Sequence, residues 1–125
     1  MDDCRAGGLK EITVGSFDKS FQGQTSADEV SREELEAAVK SESWALVDVR
    51  EPHEFDAGRV AGSINLPLSN FQPGDLPTGK PVVLICRSGM RSADALRRAR
   101  AAGVDDIRHY RGGVIGWANG GGDLV

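Results

Sequence analysis

Pro81-Val82-Val83-Leu84-Ile85-Cys86-Arg87-Ser88-Gly89-Met90-Arg91-Ser92-Ala93-Asp94-Ala95-Leu96-Arg97-Arg98-Ala99-Arg100-Ala101-Ala102-Gly103 is the stretch that decides how this chain folds. Its first five residues are a short apolar run of the kind that makes a buried strand. Ser92 to Ala102 is rich in helix formers and is stopped by Gly103. Cys86 to Arg91 therefore forms a strand-to-helix turn, with a lone cysteine at its start and arginines at Arg87 and Arg91. Backbone N–H groups of the turn and the helix N-terminus supply partial positive charge, and the two guanidinium groups add full charge. Such settings lower a thiol's pKa from about 8.5 toward neutrality. Cys86 is the predicted thiolate.

The segments on either side repeat the alternation of strand and helix. Ser31 and Glu34 have the spacing of a capping box, opening a helix whose apolar face is Leu35, Ala38 and Val39. Trp44-Ala45-Leu46-Val47-Asp48-Val49 reads as a buried strand, and Pro52 suits the first turn of a short helix ending near Gly58. Ser63-Ile64-Asn65-Leu66 is a short strand ended by Pro67, and Asn70 to Gly79 is loop with one helical turn. Ile107-Arg108-His109-Tyr110 is a last strand, followed by a short helix from Gly112-Gly113 through Trp117. Glu11-Ile12-Thr13-Val14 adds a short extended piece. This order predicts an α/β fold, a mostly parallel central sheet of about five strands with helices on both faces. In open sheets of this kind sites form at the carboxyl ends of strands, where Cys86 lies.

Bulk properties limit the alternatives. A chain of 125 residues is one domain, organised as a tail or linker over 1–26, a folded domain over 27–120 and a frayed end over 121–125. A net charge of −4 gives no case for nucleic-acid binding, and no apolar stretch is long enough to span a bilayer. Two cysteines, Cys4 and Cys86, do not make a disulfide scaffold, and with an acidic start at Met1-Asp2-Asp3 the expectation is a cytoplasmic protein. Cys4, in the tail, reads as incidental. His53 and His109 stand outside any metal-ligand spacing and read as structural or exposed; no metal is expected.

Four ordered segments together resemble the single-domain rhodaneses, the rhodanese-like sulfurtransferase superfamily. Asp48-Val49-Arg50-Glu51 with His53-Glu54-Phe55 is similar to that family's strand exit "DVRE…EF", and Gly58-Arg59-Val60-Ala61-Gly62-Ser63-Ile64-Asn65-Leu66-Pro67 to "GHIxGAxNIP". Cys86 to Ser92 resembles its active loop and Gly112-Gly113-Val114-Ile115-Gly116-Trp117 its "GGxxxW". Arg59 and Ser63 depart from the usual His and Ala, at positions belonging to a turn.

The resemblance implies that Cys86 takes a sulfane sulfur and carries it as a persulfide, with no cofactor. The partners it implies are a small anionic donor such as thiosulfate, a thiol or cyanide acceptor, and a protein donor or acceptor if the sulfur is relayed. The residues themselves agree with this chemistry. Arg87 and Arg91 would draw in a dianion, and the amides of Ser88, Gly89, Met90 and Arg91 would form an anion-holding nest. Gly89 fits a loop needing positive φ, and Ser88 and Ser92 add hydroxyl donors. Asp48 and Arg50 read as an ion pair tying strand ends together, with Arg50 also facing the pocket. Cysteine-dependent phosphatases use a loop one residue longer, whereas four residues separate Cys86 from Arg91. The shorter loop favours sulfur over a phosphoryl group.

Overall fold

The computed structural model describes residues 28–125. Four strands, β1 (Ala45–Asp48), β2 (Ile64–Asn65), β3 (Val82–Ile85) and β4 (Ile107–His109), form one sheet in the order β2-β1-β3-β4. Every pairing is parallel, with Ala45 opposite Val82, Val82 opposite Ile107 and Val47 opposite Ile64. The helices are α1 (Arg32–Ser41), α2 (Pro52–Ala57), α3 (Met90–Ala101) and α4 (Gly113–Asn119).

Central parallel strands are covered on both faces, so apolar side chains can occupy every position. In β3 all four residues are buried, and they divide by the strand's period of 2. Val82 and Leu84, with Cys86 beyond them, pack with Ala95, Leu96 and Ala99 of α3 and with Ile107. Val83 and Ile85 pack on the opposite side with Leu35 of α1 and Val114 and Trp117 of α4. The α/β expectation holds, with one difference in strand number. The piece expected at Glu11–Val14 lies outside the described residues. Among the described residues a single parallel bridge, Glu29 to His109, borders β4 in place of a fifth strand. Two residues later Ser31 caps α1, its hydroxyl accepting from the Glu34 amide at 3.1 Å, and the chain turns away from the sheet.

Two further boundaries differ from the sequence reading. Helix α3 begins at Met90, two residues early, because Gly89 (φ +103°) takes the left-handed conformation at its cap and its carbonyl accepts from the Ala93 amide. The end at 121–125 is held rather than frayed. Val125 and Arg59 exchange backbone hydrogen bonds at 2.8 and 3.2 Å, and the Trp117 indole donates to the Asp123 carbonyl at 2.9 Å. Backbone pairing with a folded segment supplies the partners that a free end would take from water.

Candidate functional site

Cys86 follows the last residue of β3 and is 1% exposed. The turn after it is fastened to α4 by amides of Val114 and Ile115, which donate to the carbonyls of Cys86 and Arg87 at 2.8 and 3.1 Å. This close approach explains the paired glycines. A Cβ on Gly113 would run into the Arg87 carbonyl, and one on Gly89 into the Arg111 carbonyl. Both residues also hold positive φ, which glycine adopts without strain.

The thiol sits among donors from its own turn. The Gly89 amide donates to Sγ at 3.1 Å, and Ser92 Oγ is 3.5 Å away. Burial pushes the thiol's pKa up, but the Ser92 hydroxyl and the amides of Ser92, Gly89 and Ser88 outweigh it, so the net direction is down. The groups that act on the sulfur come from Ser88, Gly89 and Ser92. Met90 and Arg91 form the first turn of α3, with Met90 82% exposed, while Ser92 contributes both an amide and a hydroxyl.

The arginines have three different fates. Arg91 is committed to Glu54 of α2 in a two-pronged pair at 2.7 and 3.0 Å. That pairing holds the Glu54 carboxyl down at about 2. Arg50 is buried, with Nε and NH2 on the Asp48 carboxylate at 2.7–3.0 Å and NH2 also on the Gly58 carbonyl at 2.7 Å. It borders the pocket, but two of its three nitrogens are engaged in structure. The Arg87 side chain is exposed and has no hydrogen-bond or ion-pair partner among the described residues.

Two clefts flank the turn. One, of about 390 Å³, brings Arg87 and Arg50 together with Ala57, Val114, Ile115 and Leu124. The other, of about 340 Å³, is lined by Ser88, Gly89 and Met90 with Glu29, His109 and Arg111.

Two residues of the site carry no role in the sequence reading. Glu54 comes from a helix 37 positions before Arg91, and its only sequence signal is the spacing Glu51 to Glu54, which marks a helix start; there Glu54 Oε1 accepts the Glu51 amide at 3.0 Å. His109 is buried, with Nδ1 2.9 Å from Ser92 Oγ. Its signal is alternation: Ile107 faces α3, so His109, two residues on, faces α3 as well.

A Rhodanese-like domain family model matches residues 31–120. A curated relative named "Sulfurtransferase", from Allochromatium vinosum, is 33% identical over 100 residues, covering 78% of this chain and 94% of the relative. "Probable adenylyltransferase/sulfurtransferase MoeZ" of Mycobacterium tuberculosis is 40% identical over 78 residues, 59% of this chain and 20% of that protein. Among solved structures, a rhodanese-related protein from Thermoplasma volcanium superposes with a TM-score of 0.70 at 31% identity, covering 78% of this chain and 97% of that one. The chain spans half or less of the length of the first curated relatives it matches. No helix among the described residues is long and apolar enough to cross a membrane.

Proposed function

The chain belongs to the Rhodanese-like domain family, and from that membership we propose that it is a sulfurtransferase whose Cys86 carries sulfane sulfur as a persulfide. One observation carries the reading: the Cys86 sulfur lies in a ring of N–H and O–H donors that favours its anion. The thiolate attacks the outer sulfur of thiosulfate or a related donor. A Cys86 S–S bond forms, the donor's S–S bond breaks with its electron pair leaving on sulfite, and the bound sulfur keeps one negative charge. Cyanide then takes that outer sulfur as thiocyanate and returns the thiolate. The amides that hold the thiolate also suit the persulfide anion, so the site needs no separate base. Arg87 is the arginine of the turn whose side chain has no partner among the described residues, and it is the residue to meet the dianionic donor.

Intact mass before and after thiosulfate tests this directly. The expected result is a gain of one sulfur atom, lost in Cys86→Ser, with thiocyanate production abolished in parallel. Loading that persists in Cys86→Ser would overturn the assignment.

Relay to a protein acceptor is the second reading, favoured by apolar residues at the site's rim. Met90 (82% exposed) lines one cleft and Ile115 (39% exposed) the other, which suits contact with another protein's surface. Rapid thiosulfate turnover at low KM would count against the relay.

A further inference from the structure

The Ser92 hydroxyl has a single proton and three neighbours that compete for it. Cys86 Sγ is at 3.5 Å, His109 Nδ1 at 2.9 Å and the Gly89 carbonyl at 3.2 Å. The carbonyl can only accept, and Nδ1 either accepts or donates according to its tautomer. If Nδ1 is bare, it takes the proton at the shortest distance of the three, and the sulfur loses its hydroxyl donor. If Nδ1 carries hydrogen, it fills a lone pair on Oγ, and the hydroxyl proton is left to the Gly89 carbonyl or to a thiolate, of which the charged sulfur is the stronger acceptor.

We propose that His109 is a positioning residue for Cys86: its Nδ1–H donates to Ser92 Oγ and so directs the Ser92 hydroxyl proton toward the sulfur. His109 touches neither the sulfur nor a substrate in this role and acts through Ser92. It reaches Ser92 because β4 ends beside the first turn of α3, where both side chains are buried. Burial is the main influence on the imidazole and keeps it neutral to lower pH than usual. Glu29 and Asp28, on the bridging segment beside β4, oppose this, while Arg111 after β4 and Arg100 of α3 reinforce it. In the neutral ring the other nitrogen, Nε2, has no partner among the described residues, and the residue lines the cleft beside Glu29 and Arg111. Water there can serve Nε2 as donor or acceptor, so the tautomer is set on the Ser92 side, where a thiolate that takes the hydroxyl proton leaves Oγ as an acceptor for Nδ1–H. Protonation at low pH also leaves Nδ1–H in place, so the hydroxyl stays directed toward sulfur on both sides of the histidine's titration.

This inference rests on Cys86 being the sulfur carrier, but its test does not need sulfur transfer. The rate of Cys86 alkylation by iodoacetamide, followed from pH 5 to 9, reports the thiolate fraction. In His109→Asn the side-chain amide can place N–H where Nδ1–H stood. In His109→Leu a side chain of similar size offers no donor. We expect His109→Leu to move the alkylation profile about one pH unit upward, a roughly tenfold slower reaction at fixed pH below the midpoint, and His109→Asn to restore it. Leu and Asn variants with the same profile, or a Leu profile equal to the parent's, would overturn the proposal. Nitrogen-15 NMR of the unsubstituted protein, assigned with an exposed-site His53→Gln variant, reads the tautomer without disturbing the core. Hydrogen on Nδ1 of His109 is expected, and a bare Nδ1 overturns the proposal whatever the variants do. If the profile splits as expected while thiosulfate adds no sulfur, the sulfurtransferase reading falls and the His109 inference stands.

Discussion

Replacing Glu54 by glutamine tests the claim that Arg91 is tied up and not available to an incoming anion. The carboxyl is held at about 2, chiefly by the Arg91 guanidinium, against an ordinary value of 4.5. Its folded-state pKa is lowered, so the stability it contributes is present above about pH 4.5 and disappears as pH falls through about 2. Taken in full, that difference corresponds to about 3 kcal/mol. The Arg91 and Glu54 side chains are 32% and 23% exposed, however, and solvent screens a pair so placed. About 1 kcal/mol is the expected contribution at neutral pH. Urea unfolding of the parent and Glu54→Gln at pH 7 and again near pH 2 measures it. The expected result is a gap of about 1 kcal/mol at pH 7 that narrows in acid, where the parent's carboxyl becomes half protonated near pH 2. The same variant removes the negative charge beside Arg91, so KM for thiosulfate is expected to fall several-fold. A stability gap that persists unchanged near pH 2, or a KM that rises, would refute the reasoning.

Two more predictions follow from the other arginines. Arg87→Ala should raise KM for thiosulfate about tenfold with little change in kcat, the loss of one charge-assisted contact of about 1.5 kcal/mol; steady-state kinetics with an unchanged KM would rule this role out. Asp48→Asn leaves a buried guanidinium with a neutral partner, and denaturant unfolding should show a loss of about 3 kcal/mol. A loss under about 1 kcal/mol would mean that the Asp48–Arg50 pair does not hold the end of β1.

What could be read in the sequence is what depends on local pattern. The apolar run Val82–Ile85, the capping pair Ser31 and Glu34 and the stop at Gly103 each act within a few residues, and the structure has elements at all of them. Their alternation suffices for the parallel α/β layers. Cys86 at a strand end needed only the boundary between two such patterns. Pairings between distant segments were less accessible. Glu54 and Arg91 meet because α2 packs beside the start of α3, which no spacing along the chain encodes. The held C-terminus depends in the same way on Arg59 lying beside Val125. The early start of α3 turns on Gly89 taking positive φ, a conformation that glycine permits but does not announce.

The arginines differ most between sequence and fold, and with them the physics of the site. Along the sequence Arg87 and Arg91 count as two charges bearing on Cys86. In the fold, Glu54 balances one, and Asp48 balances the neighbouring Arg50. The thiol's pKa is lowered chiefly by groups that carry no net charge, three amides and a hydroxyl, although Arg91 and Cys86 still act on each other through their charges. Such dipoles act at hydrogen-bond range and are fixed by the turn, so they stabilise whichever sulfur anion occupies the site. A freely mobile cation would instead favour the larger charge of a thiosulfate dianion over the single charge of a persulfide. A carrier must release its donor's residue yet retain the sulfur between two partners. On the proposed persulfide chemistry the tasks divide, with Arg87 at the rim serving arrival and the amide ring within serving retention, so that sulfite would leave while the persulfide stays.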